Sequence, residues 1–577
     1  MRADVTAPYL NVDPAGERFL IRGAHRLQRP MASFMLALLA YLVTLALLLP
    51  RGVNPLSAAH FLGIGADPTL FAWALSWWPY ALTHGLNPFV THTVWAPQGF
   101  NLAWDTSVPS VALLIWPVTG AAGPVVAYNV AIMASPVLAA LAAFGLCREL
   151  TGRTWPAVVG GWLFGYGPYE TGQLLGHLHL TFIFPVPLLM WLAVRRWRGA
   201  MGGYTYAGLS ALALALLLGV SVEVYLTFTL MAALLALLTW MLVPDQRGHL
   251  YSLLRWGSSA YAGSLVLTLP FLYYLIIGMG AAPGSLHSPV VYSADVLNFV
   301  FPTPITTLGS AASLPVTSRF TGNLAENGAF VGLPLLGLLT WWVWRSRRDR
   351  WTRVLALAAL ACLVAELGPK LHVGGLVGGH LPWILLSKLP LLKQILPVRL
   401  AMYFDLMAAV TAAIILARLS RGRALAASLI AAIMVLSWWP ASWPATKVVT
   451  PPLLRPQNIR QEFRAHETLV VLPYGAAGQS MIWQATDQMY FNMAGGYLSF
   501  VPKSLAKLRL VRELYGTLAP GKHFGASLLA FCHSHGVVAV VATRGTPPPL
   551  MTDLSTLSWR TSIEKGAVVY WVPSAGS

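Results

Sequence analysis

MASFMLALLAYLVTLALLL, residues 31–49, holds no charged side chain and follows a basic stretch with Arg18, Arg22, Arg26 and Arg29. A bilayer core of about 30 Å takes about 20 apolar residues as a helix, so this run predicts a first membrane span. Its length, and the hydrophobic sequence beyond it without a clear small-residue cleavage site, predict a retained span rather than a signal peptide. The composition continues in kind: 56% of the 577 residues are hydrophobic and 10% are charged, where soluble domains hold about 45–50% and about 25%. Similar runs recur at 124–146, 156–167, 180–195, 204–220, 224–242, 257–277, 330–345, 354–368, 400–417 and 424–439. That makes about eleven, several shorter than a full crossing. Residues 108–118 are apolar but brief and end near Pro117, which predicts an interfacial or re-entrant helix.

A formal net charge of +18 raises the question of nucleic acid, and the positions of the charges answer it. With the N-terminus (1–30) in the cytoplasm, alternating spans place Arg148, Arg153, Arg195, Arg196, Arg198, Arg247 and Arg255 inside. Arg345, Arg347, Arg348, Arg350, Arg353, Arg418, Arg421 and Arg423 fall on the same side. This is the positive-inside pattern of a multi-pass protein, here expected in a bacterial inner membrane, with no nucleic-acid partner. The long loops, 50–107, 278–329 and 368–399, then face outward. Functional polar groups concentrate in such loops.

After Trp439 the spans stop. Thr468 to Leu472, Val537 to Thr543 and Ala567 to Val572 predict strands and Phe524 to His535 a helix. The expected architecture is a polytopic α-helical membrane region, 31–439, followed by a small periplasmic α/β domain, 440–577. Cys147, Cys362 and Cys532 are too scattered for a disulfide framework or a metal site, so no metal and no cofactor are expected.

The first outer loop holds GIGADPTLFAWALSWWPYALTHGLNPFVTHTVWAPQGFNLAWDTSVP, residues 63–109. Asp67 precedes Pro68, and Thr69 to Leu82 predict a helix with Trp73, Trp77 and Trp78, suited to lying along the membrane interface and seating a lipid. An acid here can act as general base toward a hydroxyl; equally, Asp before Pro caps a helix, and the two roles are compatible. His84, Asn87, Trp95, Asn101 and Asp105 follow in aromatic surroundings and are candidate substrate-binding groups.

This layout resembles the GT-C superfamily of integral-membrane glycosyltransferases. The residues that carry the resemblance are Asp67 with its aromatic helix and CRELTGRTWPAVVGGWLFGYGP, residues 147–168, which looks like that superfamily's second and third spans joined by a short basic turn. The resemblance implies sugar transfer from a polyprenyl-phosphate donor, usually with inversion, using an outer-loop carboxylate as base. The first loop lacks the D-x-D of the metal-dependent oligosaccharyltransferase branch, which favours a metal-independent enzyme that moves one monosaccharide, hexose or pentose.

YGPYETGQLLGHLHL, residues 166–180, adds Glu170 as a second candidate base and His177 and His179 as groups to bind sugar or phosphate. Two His at i, i+2 do not share a helix face, which argues against a metal pair. Glu223 is a further acid near the outer face. In PKLHVGGLVGGHLPWILLSKLPLLKQILPVRLAMYF, residues 369–404, Arg399 and Lys393 are candidate ligands of the donor phosphate, the Arg fork suiting phosphate oxygens; an interfacial anchor is the other reading of Arg399. The loop 293–330 contains Asp295, Asn298, Asn323, Glu326 and Asn327 and suits a lid or acceptor-binding segment. Expected partners are the lipid-linked donor, membrane lipid, and a glycan, lipid or protein acceptor. A transporter or flippase of lipid-linked glycans is the alternative, weakened by the absence of an internal repeat; a non-catalytic envelope scaffold is another, and it would tolerate loss of Asp67.

Overall fold

The computed structural model describes residues 30–278, 287–309, 312–389, 392–419 and 422–574. The expectations for Arg18, Arg22, Arg26, Arg29 and Arg421, for residues 1–29, and for part of the loop 278–329 fall outside them.

The apolar runs fall on helices, with 180–195 and 257–277 each divided between two of them. In chain order these begin with α1 (Pro30–Leu48), α2 (Asp67–Thr83), α3 (Pro109–Ala122), α4 (Pro124–Thr151), α5 (Thr154–Gly165), α6 (Pro168–Gln173), α7 (Leu178–Thr181), α8 (Pro185–Trp197), α9 (Gly203–Leu218) and α10 (Val222–Leu242). Arg247–Leu267, Leu269–Ile276, Leu333–Arg345, Arg350–Glu366, Ala401–Leu419 and Ala424–Ser437 complete the bundle. Among the described residues five helical segments are long and apolar enough to cross a membrane, and six if the pair bent by 73° near Thr268 counts as one. The chain is a helical membrane protein. α3, brief and Pro-containing, is a 14-residue helix between the first loop and α4.

Helix Ala401–Leu419 sits at the centre, buried over nearly its whole length. Its alanines let backbones approach, as membrane helices require in the absence of a hydrophobic drive between them. α5 closes against it and α4: a Cβ on Gly160 would lie 3.0 Å from Ala413 Cβ, and one on Gly165 would lie 2.4 Å from Pro136 O. The polar ends of the aromatics in this packing are satisfied within it, Tyr166 Oη donating to Tyr41 O at 2.6 Å and Trp162 Nε1 to Thr44 Oγ1 at 3.1 Å.

The C-terminal part is built on a five-stranded mixed sheet in the order Thr561–Glu564, Ala567–Trp571, Val537–Thr543, Thr468–Leu472, Asn492–Met493. The first two pairings are antiparallel and the last two parallel. Helix Phe524–Ser534 runs immediately before the central strand. This sheet shares one continuous core with the first loop. Strand His60–Leu62 pairs antiparallel with Ala445–Lys447, Met493 N donates to Thr93 O at 2.8 Å, and Trp95 N to Gly495 O at 3.1 Å.

That shared core corrects the expectation for α2. Trp73, Trp77 and Trp78 are buried at 0%, 2% and 3% exposure, so they do not lie along a lipid interface. Trp73 Nε1 donates to Gln484 Oε1 at 2.7 Å, in helix Ser480–Thr486 of the C-terminal part. Each buried Trp removes about 150–250 Å² from water, which makes α2 the clamp between bundle and sheet.

Candidate active site

Two glycines set the approach of the first loop to the segment after α6. Gly63 has φ +100, and a Cβ there would meet Leu175 O at 2.6 Å; Ile64 N instead donates to Leu175 O at 2.8 Å. Opposite, a Cβ on Gly176 would lie 3.1 Å from both Ile64 O and Pro68 Cδ. This contact brings the start of α2 beside His177.

Asp67 occupies the first turn of α2, where the helix dipole favours a carboxylate. It does not cap the helix: no side-chain cap bond is made at Ala66. Its oxygens reach across the fold instead. Oδ2 lies 3.2 Å from His177 Nε2, and Oδ1 accepts a 2.6 Å hydrogen bond from Tyr497 Oη. Burial raises the affinity of this carboxyl for its proton, but the hydrogen bond and charge of His177, together with Tyr497, more than offset it and hold the group down at about 2. The side chain is still 32% exposed, so lone pairs remain open to a substrate.

From His177 the network continues inward. Nδ1 lies 2.6 Å from Gln173 Oε1 and 3.8 Å from Glu326 Oε1. Gln173 Nε2 donates to Glu326 Oε2 at 3.2 Å. Glycines again permit the contact, since a Cβ on Gly172 would lie 2.5 Å from Ala325 O. Glu326 is gripped by Arg399 through Nε at 3.1 and 3.2 Å and Nη2 at 2.5 Å. Arg399 Nη1 is paired with Glu223 Oε2, whose Oε1 accepts from Leu396 N at 3.0 Å. Burial alone would make Glu326 easier to protonate; the Arg399 charge and hydrogen bonds outweigh it and lower its pKa. Tyr497, Asp67, His177, Gln173, Glu326, Arg399 and Glu223 thus form one chain of polar contacts. Asp105 sits beside it, accepting from Ser499 N at 3.0 Å and from the Ser499 hydroxyl; burial, then the nearby Asp67 charge, push its pKa up to about 6 against those hydrogen bonds.

Among family models the chain matches, over residues 37–442, the one described as "Domain of unknown function (DUF6311)". The chain belongs to this family. No curated protein matches it. Among solved structures it is similar to the arabinofuranosyltransferase AftD from Mycobacteria, with a TM-score of 0.59 and 13% identity over 97% of this chain and 41% of that one. It is also similar to an oligosaccharyltransferase from Archaeoglobus fulgidus, with a TM-score of 0.51 and 12% identity over 90% of this chain and 70% of that one. This DUF6311 chain therefore has the GT-C fold.

The other candidate residues divide. His179 is buried close by, its ring 6.1 Å from His177 and 5.5 Å from Phe71. Glu170 is 1% exposed, with neither oxygen hydrogen-bonded among the described residues, and burial raises its pKa well above the carboxylate range. The second candidate base therefore lies buried, outside the chain of contacts around Asp67. Arg399 is no lone cation facing lipid: at 14% side-chain exposure it is paired with two carboxylates. Lys393 is exposed.

His84, Asn87, Trp95 and Asn101 lie outside this chain of polar contacts. The His84 ring stacks 4.1 Å from that of Tyr80, and Asn87 Nδ2 donates to Tyr274 Oη at 2.7 Å. Asn101 is 1% exposed and ties the loop to Tyr274 O and Gly278 O, and Trp95 is fully buried against Tyr474. Sequence reasoning named Glu326 and Glu223 without joining them to Asp67, and the contacts of Gln173 and Tyr497 come from the fold. Among the described residues no three His, Cys, Asp or Glu are grouped to hold a metal ion.

Proposed function

We propose that the protein transfers a single sugar from a polyprenyl-phosphate donor to an acceptor hydroxyl at the outer face of the bacterial inner membrane. Asp67 is the general base and the transfer is inverting. The observation that carries this reading is the Asp67 carboxylate: ionised, partly exposed and fixed by two hydrogen-bonding partners, on the fold of membrane glycosyltransferases. As the acceptor oxygen attacks the anomeric carbon, its proton passes to Asp67 and the bond to phosphate breaks with its electron pair on the polyprenyl phosphate. Arg399, assisted by Lys393, receives that phosphate, which requires Glu223 or Glu326 to yield part of the guanidinium fork. The chemistry at Asp67 needs no metal.

About eleven spans, an N-terminus inside and a periplasmic C-terminal domain fit the distribution of charge. Arg198 contacts Glu149 at the end of α4, and Trp197 packs on Trp351 at 5.5 Å, which supports basic loops that share one side. The C-terminal domain, 440–577, completes the site through Tyr497. The acceptor is a glycan, a lipid or a protein.

The purified protein in proteoliposomes, given a synthetic polyprenyl-phosphate sugar and membrane extract, is expected to release free polyprenyl phosphate as the sugar appears on an acceptor. Movement of intact donor across the bilayer without cleavage would refute transfer and establish transport.

A further inference from the structure

Gly496 and Tyr515 close the base of a loop: Tyr515 Oη donates to Gly496 O at 3.3 Å. Between them the chain carries two short helices, Lys503–Ala506 and Arg509–Leu514, anchored by the buried Leu505, Leu510, Val511 and Leu514. The limb after Gly496 reaches the site, where Tyr497 Oη donates to Asp67 Oδ1 and Ser499 N to Asp105 Oδ1. Farther along, Ser504 Oγ donates to Gln98 Oε1 at 2.9 Å, which ties the loop to the first outer loop. The outer side of this segment is positive. From Gln488 to Thr552 the sequence holds a single acid, Glu513, against Lys503, Lys507, Arg509, Arg512, Lys522 and Arg544. Glu513 is 2% exposed, and its Oε1 accepts from Arg509 Nε at 2.7 Å and Gly521 N at 3.1 Å. Lys503, Lys507, Arg509, Arg512 and Lys522 are all exposed, so the segment presents cations to solvent with no exposed carboxylate of its own.

We infer that this loop binds the acceptor and that the acceptor is an anionic glycan, carrying phosphate or carboxylate groups near the hydroxyl that receives the sugar. The inference rests on the reading of the protein as a glycosyltransferase with Asp67 as base, and it names the acceptor class of that same site. The two oxygens of Asp67 divide the site. Oδ2 meets His177, from which polar contacts run to Arg399 on the side assigned to the donor phosphate. Oδ1 meets Tyr497, from which the chain runs into the cationic loop. Lys503 follows Ser499 by four residues, at most about 14 Å of extended chain, so the cations begin beside the base. A surface of one sign steers and orients a partner of the opposite sign. Cations spread along an exposed loop suit charges repeated along a flexible saccharide, whereas one small anion is held by donors that converge in a pocket.

The test is transfer from a labelled polyprenyl-phosphate sugar in phosphatidylcholine proteoliposomes, with membrane extract supplying the acceptor. Once unreacted donor is removed, the labelled product is expected to resist protease and to be retained by an anion exchanger at neutral pH. The triple variant Lys507→Ala, Arg512→Ala, Lys522→Ala is expected to raise the apparent KM for acceptor about tenfold, as three exposed ion pairs together would. Its KM for donor should stay at the wild-type value, and its acceptor KM should depend less on salt. The charge-conserving triple Lys507→Arg, Arg512→Lys, Lys522→Arg is expected to keep the wild-type acceptor KM, which separates charge from disturbance of the loop. A neutral or protein-borne product, or a wild-type acceptor KM in the triple alanine variant, overturns the inference while leaving transfer by Asp67 in place. A KM difference that appears only when phosphatidylglycerol is added to the vesicles means that the loop binds the bilayer, and it overturns the inference as well. Absence of wild-type transfer removes the glycosyltransferase reading and the inference together.

Discussion

Tyr497 Oη donates a 2.6 Å hydrogen bond to Asp67 Oδ1 across 430 residues of chain. The base proposed for sugar transfer is thereby oriented by the part of the protein that follows the membrane bundle, and the C-terminal sheet becomes part of the site. Hydrogen bonds to charged groups contribute about 1.5–3 kcal/mol. Tyr497→Phe is therefore expected to lower transfer roughly 10- to 100-fold, at about 1.4 kcal/mol per factor of ten, in protein that remains folded. A wild-type rate in this variant would show that Tyr497 does not orient the base.

Arg399 is paired with both Glu223 and Glu326. Removing one partner of a buried ion pair costs about 3–5 kcal/mol because the other charge is left uncompensated. Arg399→Gln should lower the unfolding temperature clearly, and adding Glu223→Gln and Glu326→Gln should restore most of it without restoring transfer. Failure of the added substitutions to recover stability would mean that Arg399 acts by packing rather than by charge.

Asp105 makes stability depend on pH with a definite sign. Burial raises its pKa to about 6 in the folded protein, against about 3.9 in an unfolded chain. Between these values the folded state keeps a proton the unfolded state has lost, so this contribution to stability falls as pH rises from about 4 to about 6 and is level beyond. Asp105→Asn is therefore expected to raise the thermal midpoint more at pH 7.5 than at pH 4; equal shifts at both values would contradict it.

Gln484 joins bundle and sheet, accepting from Trp73 Nε1 at 2.7 Å and donating to Thr93 O at 2.9 Å while fully buried. Gln484→Leu leaves the Trp73 indole N–H without its partner, at about 1–3 kcal/mol, and removes a donor from Thr93 O and Phe491 O. The expected result is faster proteolysis in the segment between Trp439 and Thr468, measured in nanodiscs. Unchanged protection would place the clamp in apolar packing alone.

The bundle was legible because lipid leaves a chain little choice: residues 124–146 and 400–417 are apolar since every turn of those helices is buried in protein or bilayer. Thr468–Leu472 and Val537–Thr543 were equally readable, as short β-branched runs between turn residues. The role of α2 was not. A tryptophan of an interfacial belt and one of a core look alike in sequence, and the partner that decides between them for Trp73, Gln484, lies 411 residues away. The same holds for the site. Asp67 before Pro68 fits a helix cap as well as a base, and its contacts to His177 and Tyr497, from two other segments, are not announced by its neighbours in sequence. Arg399 was chosen for its fork, but nothing local announces that Glu223 and Glu326 already occupy it.

The most direct test of the account is transfer of radiolabelled sugar from a polyprenyl-phosphate donor to endogenous acceptor, comparing wild type, Asp67→Asn and Asp67→Glu at matched expression. A general base contributes about 10²- to 10⁴-fold; Asp67→Asn is predicted to lose that much while remaining folded, with Asp67→Glu retaining part of the activity. Transfer by folded Asp67→Asn at the wild-type rate would contradict the assignment of Asp67 as the base.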